Sequence, residues 1–254
     1  MRVALAQLTS APGDVAANVA KVRETVGAHC GADLVVFPEL FLSGYLLDAI
    51  GELASDLDGA ELAAVRGAAA AAGSAVVLGV AERWDGAVAN SAVLVAADGA
   101  IAGVYRKTHL FGAERDAFVA GDRLEPIELG GCRLGPMICF DVEFPEVART
   151  LLLDDADALV TIAANMAPFA DDHELAARAR ALESGLPHVY VNRSGADAGL
   201  RFVGGSVVVA PTGEVIGRLG EEAGVLEADL PRSGHGDERL DYRRHLRPEL
   251  YRTA

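Results

Sequence analysis

Lysine is nearly absent from this chain. Of its 22 basic residues only Lys21 and Lys107 are lysines, and the other 20 are arginines. A chain that uses arginine almost wherever it needs positive charge marks its lysines as places where a guanidinium would not serve. Arginine is a wide fork that keeps its proton; lysine is a compact ammonium of adjustable acidity. Positive charge is scarce altogether, since 37 Asp and Glu leave a formal net charge of −15. That balance argues against a nucleic-acid or anionic-membrane surface, which needs clustered Lys and Arg. Cysteine is sparse as well: Cys30, Cys132 and Cys139 form an odd set. They speak against a disulfide scaffold and for a reducing, cytoplasmic setting. Long apolar runs are missing. The longest candidate, Gly67 to Ala81, is broken by Gly and Ser and is shorter than the roughly 18 residues of a membrane span. The N-terminus, Met-Arg-Val-Ala-Leu-Ala-Gln-Leu-Thr, reads as a strand and not as a signal peptide. Several catalytic signatures are lacking too: G-x-S-x-G, G-x-G-x-x-G, Gly-Lys-Ser/Thr, C-x-x-C and H-E-x-x-H. The six histidines, at 29, 109, 173, 188, 235 and 245, are scattered, and no metal site is legible in them.

What is present is globular. Apolar residues make up 51% of the 254 and charged residues 23%, enough for one domain with a large core. Strand and helix signals alternate. Arg2 to Leu8 is a short apolar run, and Asp14 is a candidate N-cap for a helix from Val15 to about His29, striped by Val15, Val19, Val22 and Val26. Further strands are expected at 32–37, 75–81, 89–96, 101–105, 127–129, 133–138, 158–164, 188–192, 203–210, 214–219 and 224–228. Helices are expected at 59–72, 145–153 and 172–184. Asp98-Gly99, Gly130-Gly131 and Pro211-Thr212-Gly213 mark tight turns between strands. Helices that alternate with strands, interrupted by hairpins, predict an α/β fold with a mixed sheet. No repeat and no linker divides residues 1–254, and the charged stretch 232–254 is expected to be a peripheral C-terminal arm.

Three apolar strands each run into a reactive side chain: Leu34–Phe37 into Pro38-Glu39, Ile101–Arg106 into Lys107, and Leu134–Ile138 into Cys139. Sites in open α/β sheets collect beyond strand carboxyl ends, so these three groups are expected around one cleft. A thiol attacks as thiolate and needs a base or a cation to lose its proton. Glu39 can take that proton, Lys107 can hold a developing oxyanion, and the helix expected after Cys139 favours negative charge there. Cys30 and Cys132 are read as structural, and Lys21 as solvated beside Glu24.

The chain resembles the nitrilase superfamily, the carbon–nitrogen hydrolases, over nearly its whole length. The resemblance is carried by Val3-Ala4-Leu5-Ala6-Gln7, Phe37-Pro38-Glu39-Leu40 and Tyr105-Arg106-Lys107-Thr108-His109-Leu110-Phe111. Ile138-Cys139-Phe140-Asp141-Val142-Glu143-Phe144-Pro145-Glu146, Ala163-Ala164-Asn165-Met166 and Asn192-Arg193 follow in order. It implies a four-layer α-β-β-α sandwich, pairing of subunits into a homodimer or higher homo-oligomer, and a Glu-Lys-Cys triad that works without a cofactor. Carried over, Glu39 is the general base, Lys107 the stabiliser of the oxyanion and Cys139 the nucleophile on a small-molecule amide. A second glutamate that positions substrate is expected in the loop after Lys107: Glu114, with Asp116 as the alternative. Tyr45, Phe111, Phe118, Phe140, Asn165 and Met166 are candidate substrate-binding residues; Met166 stands where Trp is more usual.

Phe140-Asp141 after the cysteine looks like the amidase branches, whereas true nitrilases tend to carry Trp-Glu there. Members that bind a substrate carboxylate often have Arg three or four residues after the cysteine; this chain has Val142 and Glu143. An acid there repels a carboxylate and welcomes an ammonium, so Glu143 points to a neutral or amine-bearing amide and away from N-carbamoyl amino acids. An N-carbamoyl amidohydrolase or a nitrilase is the alternative within the family, and a thiol-based redox or binding protein the alternative outside it.

Overall fold

Alternation of side chains along the strands decides how this molecule is layered. The computed structural model of the chain describes residues 1–234 and 236–251. In chain order it begins with β1 (Arg2–Gln7), α1 (Val15–Ala28), β2 (Leu34–Val36), α2 (Ile50–Leu53), α3 (Ala60–Ala72), β3 (Ala75–Trp84), β4 (Ala87–Val95) and β5 (Ile101–Arg106). It continues with α4 (Glu114–Ala117), β6 (Ile127–Leu129), β7 (Cys132–Ile138), α5 (Pro145–Leu153), β8 (Ala158–Ala163), α6 (Ala170–Ser184) and β9 (His188–Asn192). Then come β10 (Ser194–Asp197), β11 (Leu200–Val203), β12 (Val207–Val209), β13 (Val215–Arg218) and β14 (Gly224–Asp229).

Two six-stranded mixed sheets result, in the orders β14-β1-β2-β3-β4-β5 and β13-β12-β9-β8-β7-β6. Each has three parallel strands at its centre, β1-β2-β3 in one and β7-β8-β9 in the other, with antiparallel strands outside them. Successive residues of a strand point to opposite faces. Val3, Leu5, Leu34, Val36, Val77 and Leu94 therefore meet Leu134, Ile138, Val160, Ile162, Val189 and Val191 between the sheets. Their neighbours Ala4, Val35, Val76 and Leu78 face outward onto Val19, Val22 and Val26 of α1 and Leu62 and Val65 of α3. On the far side Met137 and Leu159 pack on α5 through Val147 and Leu151, and Tyr190 and Val207 pack on α6 through Ala177 and Ala181. Helix, sheet, sheet, helix is the expected four-layer order. Each fully buried Val or Leu contributes roughly 1.5–3 kcal/mol.

Local signals set the element ends. Asp14 Oδ1 accepts the Ala17 N–H at 2.9 Å and starts α1. Pro145 stands at the first turn of α5, and Gly185, at φ +65°, closes α6. Two expectations need correction, and one hairpin is added to them. The strand expected over 203–210 is two strands, because Gly204 and Gly205 both take positive φ (58° and 74°) and turn the chain between them. The hairpin β10–β11 was not foreseen; Ala198 and Gly199 make its turn, both at positive φ. The helix expected at 145–153 is α5, and the chain reaches it from Cys139 through a 3₁₀ turn over Cys139–Glu143. Lys21 is not simply solvated, since its Nζ donates to the Thr9 carbonyl at 2.6 Å.

Of the stretch from residue 232, residues 235 and 252–254 lie outside those described, and His235 with them. The rest lies on the surface in short 3₁₀ turns, with Arg243 bonded to Asp155 at 2.6 Å.

Candidate active site

Glu39 stands three residues beyond β2, on a backbone that bends sharply: Leu40 has φ +48°. The bend is seated on β3, where Phe41 N–H donates to the Gly79 carbonyl at 2.8 Å. It leaves the Glu39 carboxylate with no exposed surface. Burying such a charge is costly unless donors surround it, and three do. Asn90 Nδ2 and Lys107 Nζ reach Oε1 at 2.7 and 2.8 Å, and the Ala164 N–H reaches Oε2 at 2.7 Å.

Lys107 follows β5 and is just as buried. Its backbone is clamped on both sides, its N–H donating to Asn90 O and its carbonyl accepting from Gly121 N, each at 2.8 Å. Besides Glu39, Nζ binds Glu114 at 2.8 Å. Tyr45 Oη donates to Glu114 Oε1 and the Phe111 N–H to Glu114 Oε2, both at 2.8 Å. Burial alone would lower the pKa of this ammonium, but Glu39, Cys139 and Glu114 together outweigh it and hold Lys107 above its ordinary value. Burial also pushes Glu114 up, against the pull of Lys107. Glu114 thus takes the place beside Lys107; Asp116, the alternative, is exposed.

Cys139 follows β7 of the other sheet and has φ +49°. A residue without glycine's freedom is rare in that conformation, and such strain collects at functional sites. Burial, and then the Glu39 charge, raise the thiol well above its usual value, while Lys107 and the Ala164 N–H pull the other way. A raised thiol needs a base to take its proton, the part expected of Glu39 from the sequence. The Ala164 N–H bonds Glu39 Oε2 at 2.7 Å and is near enough to the sulfur to favour its ionised form, so the carboxylate and the thiol are neighbours. One buried carboxylate joins the lysine and cysteine segments. Asp141 accepts from Tyr105 Oη (2.8 Å), Thr108 Oγ1 (2.9 Å), and the N–H groups of His109 and Ile138 (3.0 Å each).

Beside the sulfur opens a cavity of about 160 Å³, lined by Cys139, Phe111, Phe140, Glu143, Asn165, Met166, Phe169, Asp172 and His173. Five of the predicted pocket residues are among them. Tyr45 and Phe118 are not: both are buried behind the triad, in a cluster with Leu40, Ala164 and Phe202. The sequence reading gave no site role to Asn90, Asp141, Phe169, Asp172 or His173. Asn90 had a signal, as a polar residue within the apolar run of β4, and Asp141 had one in the Phe140-Asp141 pair after the cysteine; the other three had none of their own. Of the other cysteines, Cys30 is exposed and Cys132 half-buried. Among the described residues no group of His, Cys, Asp or Glu could hold a metal ion, and no helix is long and apolar enough to cross a membrane.

The carbon–nitrogen hydrolase family model matches residues 2–237. A hydrolase encoded in the pqqF 5′ region of Pseudomonas protegens is 40% identical over 258 residues, covering 99% of this chain and 90% of that protein. An (R)-stereoselective amidase from a Pseudomonas species is 41% identical over 91% of this chain and 85% of its own. Among solved structures, an amidase of the nitrilase superfamily from Nesterenkonia AN1 superposes with a TM-score of 0.87 at 33% identity, covering 98% of this chain and 95% of that one. A mutant of that Nesterenkonia amidase carries the acetamide moiety of fluoroacetamide at its active-site cysteine.

Proposed function

This chain belongs to the carbon–nitrogen hydrolases of the nitrilase superfamily, and from that premise we propose that it hydrolyses a small carboxamide to the carboxylic acid and ammonia through a thioester on Cys139. It is read as an amidase, in keeping with its amidase relatives. The observation that carries the mechanism is the buried Glu39 carboxylate, bonded to Lys107 Nζ at 2.8 Å and to the Ala164 N–H at 2.7 Å, with the Cys139 thiol feeling the charges of both Glu39 and Lys107.

In this reading the amide carbonyl enters from the cavity. As Sγ bonds to the carbonyl carbon, its proton passes to Glu39 and negative charge grows on the carbonyl oxygen. Lys107, held cationic by two carboxylates, stabilises that oxygen. Glu39 then gives the proton to the amide nitrogen, the C–N bond breaks and ammonia leaves a thioester. Water attacks the thioester, Glu39 accepts one of its protons and returns it to the departing sulfur, and the acid is released. A neutral resting thiol suits this scheme, because the same carboxylate that keeps the proton on sulfur is the base that removes it. Glu114 keeps Lys107 aimed and fills its remaining donor. A homo-oligomer belongs to the same reading: Leu153 of α5 and Leu175 of α6 are exposed and could serve apolar contacts between subunits.

The test uses a Cys30→Ser background, because Cys30 is exposed and reacts with thiol reagents as well. Incubation with short amides and an acid quench should leave one acyl adduct on Cys139, found by mass spectrometry. Cys139→Ala should lose ammonia release by roughly 10⁴-fold or more. Full turnover by Cys139→Ala would end this reading.

A further inference from the structure

We propose that the cavity selects amides bearing an ammonium group near the scissile bond, with the Glu143 carboxylate as its counter-ion and His173 as the residue that positions that carboxylate. The inference rests on the amide-hydrolysis reading above.

The cavity has apolar walls from Phe111, Phe140, Met166 and Phe169, and two acids, Glu143 and Asp172, line it together with His173. Among the described residues no Arg or Lys lines it. The nearby guanidinium, Arg180, is already committed: it donates to the carbonyls of Val142 (2.9 Å) and Glu143 (3.0 Å) and pairs with Glu183 at 2.8 Å. The Glu143 side chain is 39% exposed and meets one partner, His173 Nε2 at 3.3 Å from Oε1.

Contacts on both sides hold that histidine. Its Nδ1 lies 2.9 Å from the Tyr190 hydroxyl, with the two rings edge to face, and its Nε2 lies 3.3 Å from Glu143 Oε1. The imidazole thus stands against one carboxylate oxygen of Glu143 and leaves the other, Oε2, for a ligand. A largely apolar cavity that carries carboxylates at Glu143 and Asp172 and no cation fits a short aliphatic amide with a cationic end. It repels a carboxylate-bearing one.

The experiment compares 3-aminopropanamide with butyramide, which has the same heavy-atom count and no charge, at pH 7. In the unaltered enzyme kcat/KM should favour the ammonium compound by roughly tenfold or more. Glu143→Gln should collapse that ratio to near one or below, and Glu143→Asp should keep part of it. His173→Gln should raise KM for 3-aminopropanamide while leaving its kcat within about threefold, a split that general loosening of the fold would not give. A ratio at or below one in the unaltered enzyme, or a ratio unchanged by Glu143→Gln, overturns the inference and leaves the amidase reading standing. Failure to release ammonia from either compound, or from other short amides, removes the amidase reading and this inference with it.

Discussion

Glu39 owes its position to the missing side chain of Gly79. A β-carbon on Gly79 would stand 2.3 Å from the Pro38 carbonyl oxygen and 2.6 Å from Glu39 Cα. Both are backbone atoms, so the obstruction cannot swing aside. Gly79→Ala is expected to push the Glu39 segment off β3. Turnover should fall by roughly a hundredfold, since misplacement of a catalytic group by about 1 Å costs that much. Stability should fall by about 1–3 kcal/mol. Gly67, inside α3, has nothing within 4 Å of its would-be β-carbon. Gly67→Ala should leave turnover unchanged and stabilise by about 0.5–1 kcal/mol. Urea unfolding and ammonia release on the two variants check the contrast; equal effects would remove the role given to Gly79.

Asp141 is the second point at which the site can be loosened from outside its reacting groups. Its two oxygens face only donors: Oδ1 faces Thr108 and His109, and Oδ2 faces Tyr105 and the Ile138 N–H. Asparagine replaces one oxygen with an NH₂, so whichever way the amide is turned a donor meets donors. Asp141→Asn is expected to cost about 1–3 kcal/mol in stability. It should also slow the alkylation of Cys139, because Ile138 precedes the nucleophile and Thr108 follows Lys107. Tyr105→Phe removes one of these donors and should cost about 1 kcal/mol. Thermal unfolding and the alkylation rate in a Cys30→Ser background measure both, and an Asp141→Asn protein of normal stability and reactivity would refute the assignment.

His188 is expected to make the fold acid-sensitive. It is fully buried, between Thr161 Oγ1 at 2.7 Å and the Ala177 carbonyl at 3.0 Å. Burial lowers it from 6.5 to about 4. Between those two values the unfolded chain binds the proton and the folded chain does not, so stability rises with pH in that window. The contribution is complete above about 6.5 and is lost as pH falls toward about 4. Going from pH 7 to pH 5 should cost roughly 2 kcal/mol through this residue. His188→Gln, which keeps a side-chain donor without the titration, should flatten that part of the profile. Urea midpoints at the two pH values decide it; equal slopes in both proteins would contradict the prediction.

The alternating strand–helix order and the identity of Glu39, Lys107 and Cys139 were legible in the sequence because each is a local statement. An apolar run of five or six residues writes a strand, and a reactive side chain just beyond it lies at a strand end. The rarity of lysine singled out Lys107 before any coordinates. The one long strand expected across Gly204 and Gly205 failed where two left-handed glycines break an otherwise apolar run. The choice of Glu114 over Asp116 was also beyond local reading, because it depends on which acid meets an ammonium and a tyrosine hydroxyl brought from elsewhere.

The sequence by itself determined most of the elements, their approximate ends and the three groups able to do the chemistry. Only the tertiary structure decided that the Ala164 N–H and Asn90 would join Lys107 as donors to Glu39. It also decided that burial and Glu39 would raise the thiol, and that Glu143 would meet His173 beside an apolar cavity wall. Those outcomes depend on desolvation and on partners tens to hundreds of residues away, such as Ala164, 125 positions from Glu39. Neither quantity exists until the two sheets have closed on one another.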